Sequence, residues 1–351
     1  MKILAVFPEI VTRGGCERSL LALAENFDMD VLTNRFTPEK TYEGWKNVRG
    51  KVIVLNKPNK FLFGLELAMK KFSGYDLFYS HGYFITNFIN IQNMPAVWYC
   101  HTPKRDLYNP TMEFYLKNMG RLREISFLAS LPAVRAIDKF LAKRMTRVVA
   151  NSQNVKNRIK DSYNIGSEVI YSACIEKISK TPSGDFYFFP GRITTTKRIE
   201  IAVNAFRKMP DKKLIVAGSS VDKIYLKFLE KNKPKNVRII TDVTEDRMSE
   251  LYKTCIAAIC MAENEDFGFT PVESMSFGKP CIAAREGGLM ESVVDGKTGL
   301  LISPDETSLI QAIEKFENRF GGMSSSCVER ARMFRKENYI KNMKRVFESA
   351  I

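Results

Sequence analysis

Short β-branched and aromatic runs recur along the first half of the chain: "KILAVF", "DVLT", "VIVL", "DLFYS", "AVWYC" and "RVVANS". Between them the apolar positions fall at helical spacing, which predicts helices at 16–26, 61–72 and 152–163. Such alternation implies a parallel sheet with helices on both faces. Around 172–185 the pattern breaks, and "SACIEKISKTPSGD" brings Pro182, Ser183 and Gly184 together as an interdomain linker. A second series then follows: "FYFFPG", "KLIVAG", "VRIIT", "IAAICM", "PCIAA" and "TGLLI". The pattern therefore predicts two doubly wound α/β domains, 1–178 and 179–332, and a mixed-charge helix pair at about 324–349.

Length agrees, since 351 residues with 45% hydrophobic content can furnish two cores of ordinary size. The start "MKILAVFPEIV" reads directly as a strand, without the apolar core and cleavage site of a signal peptide, and no run of about 18 apolar residues occurs. A soluble, cytoplasmic protein is the expectation. Seven cysteines with no Cys-x-x-Cys read as reduced, packed thiols. Two histidines without clustered partners leave no zinc pattern.

Net charge is +15, and residues 101–160 hold 13 Lys/Arg against 4 Asp/Glu. Such a concentration can serve nucleic acid, an anionic membrane or a phosphorylated substrate. No DNA- or RNA-reading motif accompanies it, so nucleic acid is not expected as a partner. The stretch "YNPTMEFYLKNMGRLREISFLASLPAVRAIDKFLAKRMTRVV" mixes apolar and basic residues at helical spacing, which suits an interfacial helix on anionic lipid.

In open parallel sheets ligands bind beyond the carboxyl ends of the strands, where strand order reverses. Residues just after strands are thus the candidates: Gly14-Gly15, His81, His101, Arg192, and the stretch "ENEDFGFTPVES". In "PGRITTTKRIEIAVNAF", Gly191 permits a turn, Arg192 stands at the strand end, and Lys197 falls in the first turn of the next helix. Two cations at a helix N-terminus make an anion site. In the quoted stretch, the backbone of Phe267, Gly268, Phe269 and Thr270 leads into a helix with Pro271 in its first turn, leaving free amides for phosphate or sugar oxygens. Glu265 precedes that turn, and Glu273 can accept from both hydroxyls of a ribose diol. Gly14-Gly15 allows close backbone approach but lacks the dinucleotide fingerprint. Asp28-Met29-Asp30 looks like a metal clip but sits at the opposite sheet edge, so it reads as a decoy and no metal ligand is assigned.

With Gly14-Gly15, His101-Thr102-Pro103, Asn151-Ser152, Gly191-Arg192, Lys197-Arg198, and Glu265 with Glu273 in this order, the chain resembles the retaining glycosyltransferases of family 4. The resemblance runs from about Lys2 to Ala350, and "YCHTPKRDLYNP" and "ENEDFGFTPVESMSFGKPCIA" are most similar to the O-antigen-type mannosyltransferases of that family. It implies the GT-B fold, two Rossmann-like domains facing a deep cleft, with the closing helix, about 333–351, packed back on the first. It implies hexosyl transfer from a nucleotide sugar, GDP-mannose first among the donors, to a glycan or lipid-diphosphate acceptor at the cytoplasmic membrane face, with no metal required. Alternatives are a UDP- or ADP-sugar-dependent hexosyltransferase, a nucleotide-sugar epimerase, or a basic nucleic-acid-binding protein.

The implied roles are these. Arg192 and Lys197 bind the donor diphosphate, and Glu273 holds the ribose. Glu265 and the amides of Gly268, Phe269 and Thr270 position the transferred sugar, which His101 contacts near the reacting carbon. Gly14 and Gly15 admit phosphates and acceptor, and the base lies against Thr241–Thr244, including Asp242 and Val243. Three departures from the family pattern stand out: Thr241-Asp242 where a glycine is common, "VIYSACIE" in place of a Tyr-Pro-Pro type turn, and the bulky Phe269.

Overall fold

The computed structural model describes residues 1–108, 121–172, 175, 177–220, 222–317 and 322–351. It divides into two compact units, Met1–Cys174 with Lys336–Ile351, and Ile175–Arg335.

The first unit carries seven parallel strands: β1 (Ile3–Ile10), β2 (Met29–Phe36), β3 (Val52–Val54), β4 (Leu77–Gly82), β5 (Ala96–Cys100), β6 (Arg147–Ala150) and β7 (Glu168–Val169), in the order β3-β2-β1-β4-β5-β6-β7. Side chains alternate along β1, so Ile3, Ala5 and Phe7 enter one core and Leu4 and Val6 the other. Both faces are buried, which is why the strands read as unbroken apolar runs. One core is closed by the helix Gly15–Ala24 and by Tyr339, Met343, Val346 and Phe347 of the helix Lys336–Glu348. The other is closed by Phe63 and Leu67 of the helix Lys60–Met69 and by Val155 and Ile159 of Gln153–Tyr163, whose start is capped by the Ser152 hydroxyl.

The second unit carries six parallel strands: β8 (Phe186–Pro190), β9 (Lys213–Gly218), β10 (Val237–Thr241), β11 (Ala258–Cys260), β12 (Cys281–Ala284) and β13 (Gly299–Ile302), ordered β10-β9-β8-β11-β12-β13. Small residues such as Ala258, Cys260, Cys281 and Ala283 line β11 and β12 and let Leu289 and Val293 pack close. Burial pushes the Cys260 thiol up to about 11 and that of Cys255, which precedes β11, to about 12, as inert packed cysteines require. Cys174 lies outside the described residues. Both sheets reverse strand order once, between β1 and β4 and between β8 and β11. Those carboxyl ends are where open parallel sheets generally bind their ligands.

The basic stretch is described from Arg121 on, as one helix to Lys143; its 109–120 portion lies outside the described residues. Within that helix Asp138 is fully buried and accepts a 2.9 Å hydrogen bond from the Tyr163 hydroxyl, and its Oδ1 has no hydrogen-bond partner among the described residues. Burial raises its carboxyl from 3.8 to about 6. The folded value lies above the unfolded one, so the protonated form favours the fold, and that stability drains as pH rises through about 6. At roughly 1.4 kcal/mol per unit, the deficit above that pH approaches about 3 kcal/mol. Asp138→Asn, whose amide oxygen can keep the Tyr163 bond, is expected to raise the thermal midpoint at about pH 8 and to lose that advantage near pH 4. Equal midpoints for both proteins at the higher pH contradict this.

Candidate active site

On the second unit β8 ends at Pro190 and Gly191 turns the chain with φ 127°. Gly218 crosses it so closely that a Cβ there would stand 1.9 Å from the Gly191 carbonyl oxygen. The exit path of β8 is therefore fixed by backbone contact. Arg192 follows, exposed, without a hydrogen bond or ion pair among the described residues. Lys197, which spacing placed in the first turn of the next helix, instead lies in a preceding 3-10 turn, Thr195–Lys197; the helix itself begins at Ile199.

The Lys197 ammonium is paired with the Glu265 carboxylate. Burial alone would lower the lysine, but the adjacent carboxylate outweighs it and the net shift is upward, against opposition from the nearby Arg192 charge. Residues that the sequence reading assigned to separate strand ends thus form one contact. Arg198 adopts the left-handed φ of 53° and is held by Glu286, with Glu263 3.7 Å away, so it serves as a strut. Glu286 also accepts from the Asn264 amide at 3.0 Å. The 263–268 loop is further pinned by Glu263 N to Thr196 O at 2.9 Å and Gly288 N to Glu265 O at 2.8 Å. A Cβ on Gly288 would lie 2.4 Å from the Asp266 carbonyl oxygen, so only glycine allows this contact.

Gly268, with φ 90°, precedes the helix Phe269–Ser276, which has no side-chain cap and no acid in its first turn. Phe269 and Thr270 occupy its first two positions and Pro271 the third. Glu273, on the same helix, accepts a 2.8 Å hydrogen bond from the buried Tyr252 hydroxyl, which orients the carboxylate. Asp242 is exposed with a left-handed φ of 55°, and Val243 packs against the cluster of Phe188, Leu251 and Tyr252. A positive φ explains why glycine suits that position and what its replacement strains.

On the first unit the Gly14-Gly15 turn opens the helix Gly15–Ala24. Glu17 folds back over it, accepting from Thr12 Oγ1 at 2.6 Å and placing its other oxygen 2.3 Å from where a Gly14 Cβ would be. An anion arriving here meets a carboxylate. His81 is the penultimate residue of β4 and His101 directly follows β5; both are buried, and their Nε2 atoms are 2.8 Å apart. Asp30, at the other end of β2, is engaged by the Lys51 amide at 2.8 Å and the Tyr75 hydroxyl at 2.8 Å.

Residues 13–173 match the family described as Glycosyltransferase Family 4, and residues 174–334 match Glycosyl transferases group 1. Together the matches leave only the two ends of the chain uncovered. The chain belongs to glycosyltransferase family 4. This family 4 chain is 29% identical over 188 residues to the alpha-1,3/1,6-mannosyltransferase ALG2 of Dictyostelium discoideum, covering 47% of this chain and 44% of that one. It is 25% identical over 249 residues to the N-acetyl-alpha-D-glucosaminyl L-malate synthase of Bacillus anthracis, covering 64% and 65%. The first curated relatives are thus matched over about half their length. In fold it is similar to Anabaena Alr3699/HepE, solved in complex with UDP and glucose, at a TM-score of 0.76 and 18% identity over 99% of this chain and all of that one. Two parallel-sheet α/β units of the GT-B class are its architecture.

The sequence reading missed Glu286, Gly287-Gly288 and Tyr252. "REGG" after β12 repeats the paired glycine seen after β1, a signal that was present. Nothing local marks Tyr252 as the partner of a carboxylate 21 positions away.

Proposed function

We propose that the chain transfers a hexosyl residue from a nucleotide sugar, with retention, to a glycan or lipid-linked acceptor. The observation that carries this is the unspent Arg192 guanidinium beside Lys197 at the carboxyl end of β8, on the same unit as the uncapped N-terminus of Phe269–Ser276. Breaking the anomeric bond leaves negative charge on a diphosphate, and pre-placed cations and amides stabilise it in the transition state. Arg192 and Lys197 hold the diphosphate, Glu273, oriented by Tyr252, holds the ribose, and Glu265 and His101 serve the transferred sugar. The leaving phosphate oxygen takes the acceptor proton on the same face. GDP-mannose is the first donor by motif resemblance, and the mannosyltransferase relative supports it. A UDP-sugar is the second reading, favoured by the UDP complex of the similar Anabaena protein.

Calorimetry with GDP-mannose, UDP-glucose and ADP-glucose tests the reading: one base is expected to bind at least tenfold tighter, about 1.4 kcal/mol, with or without chelator. Binding that needs magnesium, or none at all, overturns it.

The lipid-linked acceptor is supported by two helices of the first unit. No helix among the described residues is long and apolar enough to cross a membrane. The helix Lys60–Met69 nevertheless exposes Phe61 and Met69 at 70% and 73%, with Lys57, Lys60, Lys70 and Lys71 around it. The helix Arg121–Lys143 exposes Ile125, Leu128 and Phe140 among Lys139, Lys143 and Arg144. Each basic residue near an anionic bilayer contributes about 1 kcal/mol. Vesicles rich in phosphatidylserine are expected to sediment the protein, and Phe61→Asp with Phe140→Asp to release it. Sedimentation indifferent to anionic lipid contradicts the membrane reading.

A further inference from the structure

His81 and His101 are the only two imidazoles in the chain, and the structure joins them. One hydrogen lies between their Nε2 atoms, so one ring donates and the other accepts. The surroundings of His81 decide which. Its Nε2 lies 3.0 Å from the Cys16 carbonyl oxygen and 3.2 Å from Ser19 Oγ. Ser19 Oγ donates its own hydrogen to that carbonyl at 2.9 Å, so it too turns a lone pair toward the ring. A carbonyl only accepts, and a bare nitrogen facing it would be repelled. His81 Nε2 therefore carries the hydrogen. Desolvation pushes both rings well below the ordinary histidine range, His101 to about 3, and for His81 the neighbouring His101 adds to it. Neutral His81 then has a bare Nδ1, which accepts from the Tyr79 hydroxyl at 2.7 Å.

The consequence falls on His101. Its Nε2 must accept, so its hydrogen sits on Nδ1, and that Nδ1 is buried with no hydrogen-bond partner among the described residues. A buried donor left unmade costs about 1–3 kcal/mol, and it stays in a fold when something else uses it. We propose that Tyr79 and His81 are positioning residues that lock His101 as its Nδ1–H tautomer, keeping an N–H donor in reserve for an oxygen of the transferred sugar. The lock itself rests on the geometry around His81; its use by a sugar rests on the hexosyl-transfer reading above.

The direct test labels histidine with 15N in the full chain, where long-range proton–nitrogen correlation resolves just two rings. Expected are His101 protonated on Nδ1 alone and His81 on Nε2 alone, both neutral from about pH 5 to 8, the range in which an ordinary histidine charges. His101 protonated on Nε2, or either ring charged at neutral pH, overturns the lock whatever the activity.

Adding a nucleotide sugar should shift the His101 Nδ1–H signal, whereas the nucleoside diphosphate alone should not. A sugar nucleotide that binds and leaves this signal unmoved overturns the sugar contact and spares the tautomer. His81→Leu is expected to lower kcat roughly tenfold, the worth of one hydrogen bond, with nucleoside diphosphate affinity unchanged. His81→Gln, whose amide can still donate to His101, should restore most of it; equal loss in both overturns the positioning role. Should His81→Leu not fold, Tyr79→Phe carries the test. It removes the donor to His81 Nδ1 but leaves the Cys16 carbonyl facing Nε2, so only a minority of His101 is expected to move its hydrogen to Nε2; complete reversal overturns the part given to the Cys16 carbonyl, and no change at all overturns Tyr79's.

Discussion

Arg192→Ala is expected to lower kcat/KM for the nucleotide sugar by about 10²- to 10³-fold, the cost of removing one pre-placed electrostatic donor to a developing anion. The argument is one of net charge. Lys197 spends its ammonium on Glu265, and Arg198 is held by Glu286. Arg192 alone of the three has no partner among the described residues, so its guanidinium is the unbalanced charge of the group, and Lys197 joins it on the diphosphate while still paired with Glu265. Arg192→Lys keeps the charge but loses the two-pronged geometry, and should recover only part of the rate. Because the side chain is exposed, stability should change by less than about 0.5 kcal/mol. Steady-state kinetics beside a thermal melt check both halves; near-wild-type kcat/KM in Arg192→Ala refutes this placement.

Glu265→Gln is expected to reduce kcat by a similar factor, and for a different reason. The carboxylate both neutralises Lys197 and sits on a loop held by the Gly288 amide and by Glu286. Removing it leaves an ammonium that is only 18% exposed with no counter-charge. Breaking a buried pair costs about 3–5 kcal/mol, and the partial exposure here places the loss nearer 2–3 kcal/mol. A double-mutant cycle separates the two effects. Lys197→Met added to Glu265→Gln should recover stability while lowering transfer further, since it removes the stranded charge but also a diphosphate ligand. Additive stability losses contradict the pairing.

Much of the fold was legible because both sheets are buried on both faces. Runs such as "AVWYC" and "FYFFPG" must then be apolar throughout, and helical spacing must separate them. The strand-order rule turned that alternation into places to look, and Arg192, Lys197, Glu265, Glu273 and His101 all follow from it. What could not be read is which partners such residues engage within their own unit. The Lys197–Glu265 pair spans 68 positions and Arg198–Glu286 spans 88, and no local period records such contacts. Glu17 over Gly14 is local yet was missed, because a carboxylate in the first turn of a helix looks like ordinary dipole stabilisation. The 3-10 turn that displaces Lys197 from the following helix was equally silent, since Thr-Thr-Lys has no capping signature to distinguish it. Lys279 is a further case: it reads as a surface lysine but is 1% exposed, donating to the carbonyls of Thr181 and Pro182 and to Ser183.

The most direct measurement compares nucleoside diphosphate with nucleoside monophosphate binding, by calorimetry in chelator, for the wild type and for Arg192→Ala. If side-chain cations and helix amides of the second unit hold the donor's diphosphate, the wild type binds the diphosphate at least tenfold tighter than the monophosphate, by about 1.4 kcal/mol, and Arg192→Ala erases that preference. A wild type indifferent to the second phosphate, or a variant that keeps the full preference, contradicts the account at its centre.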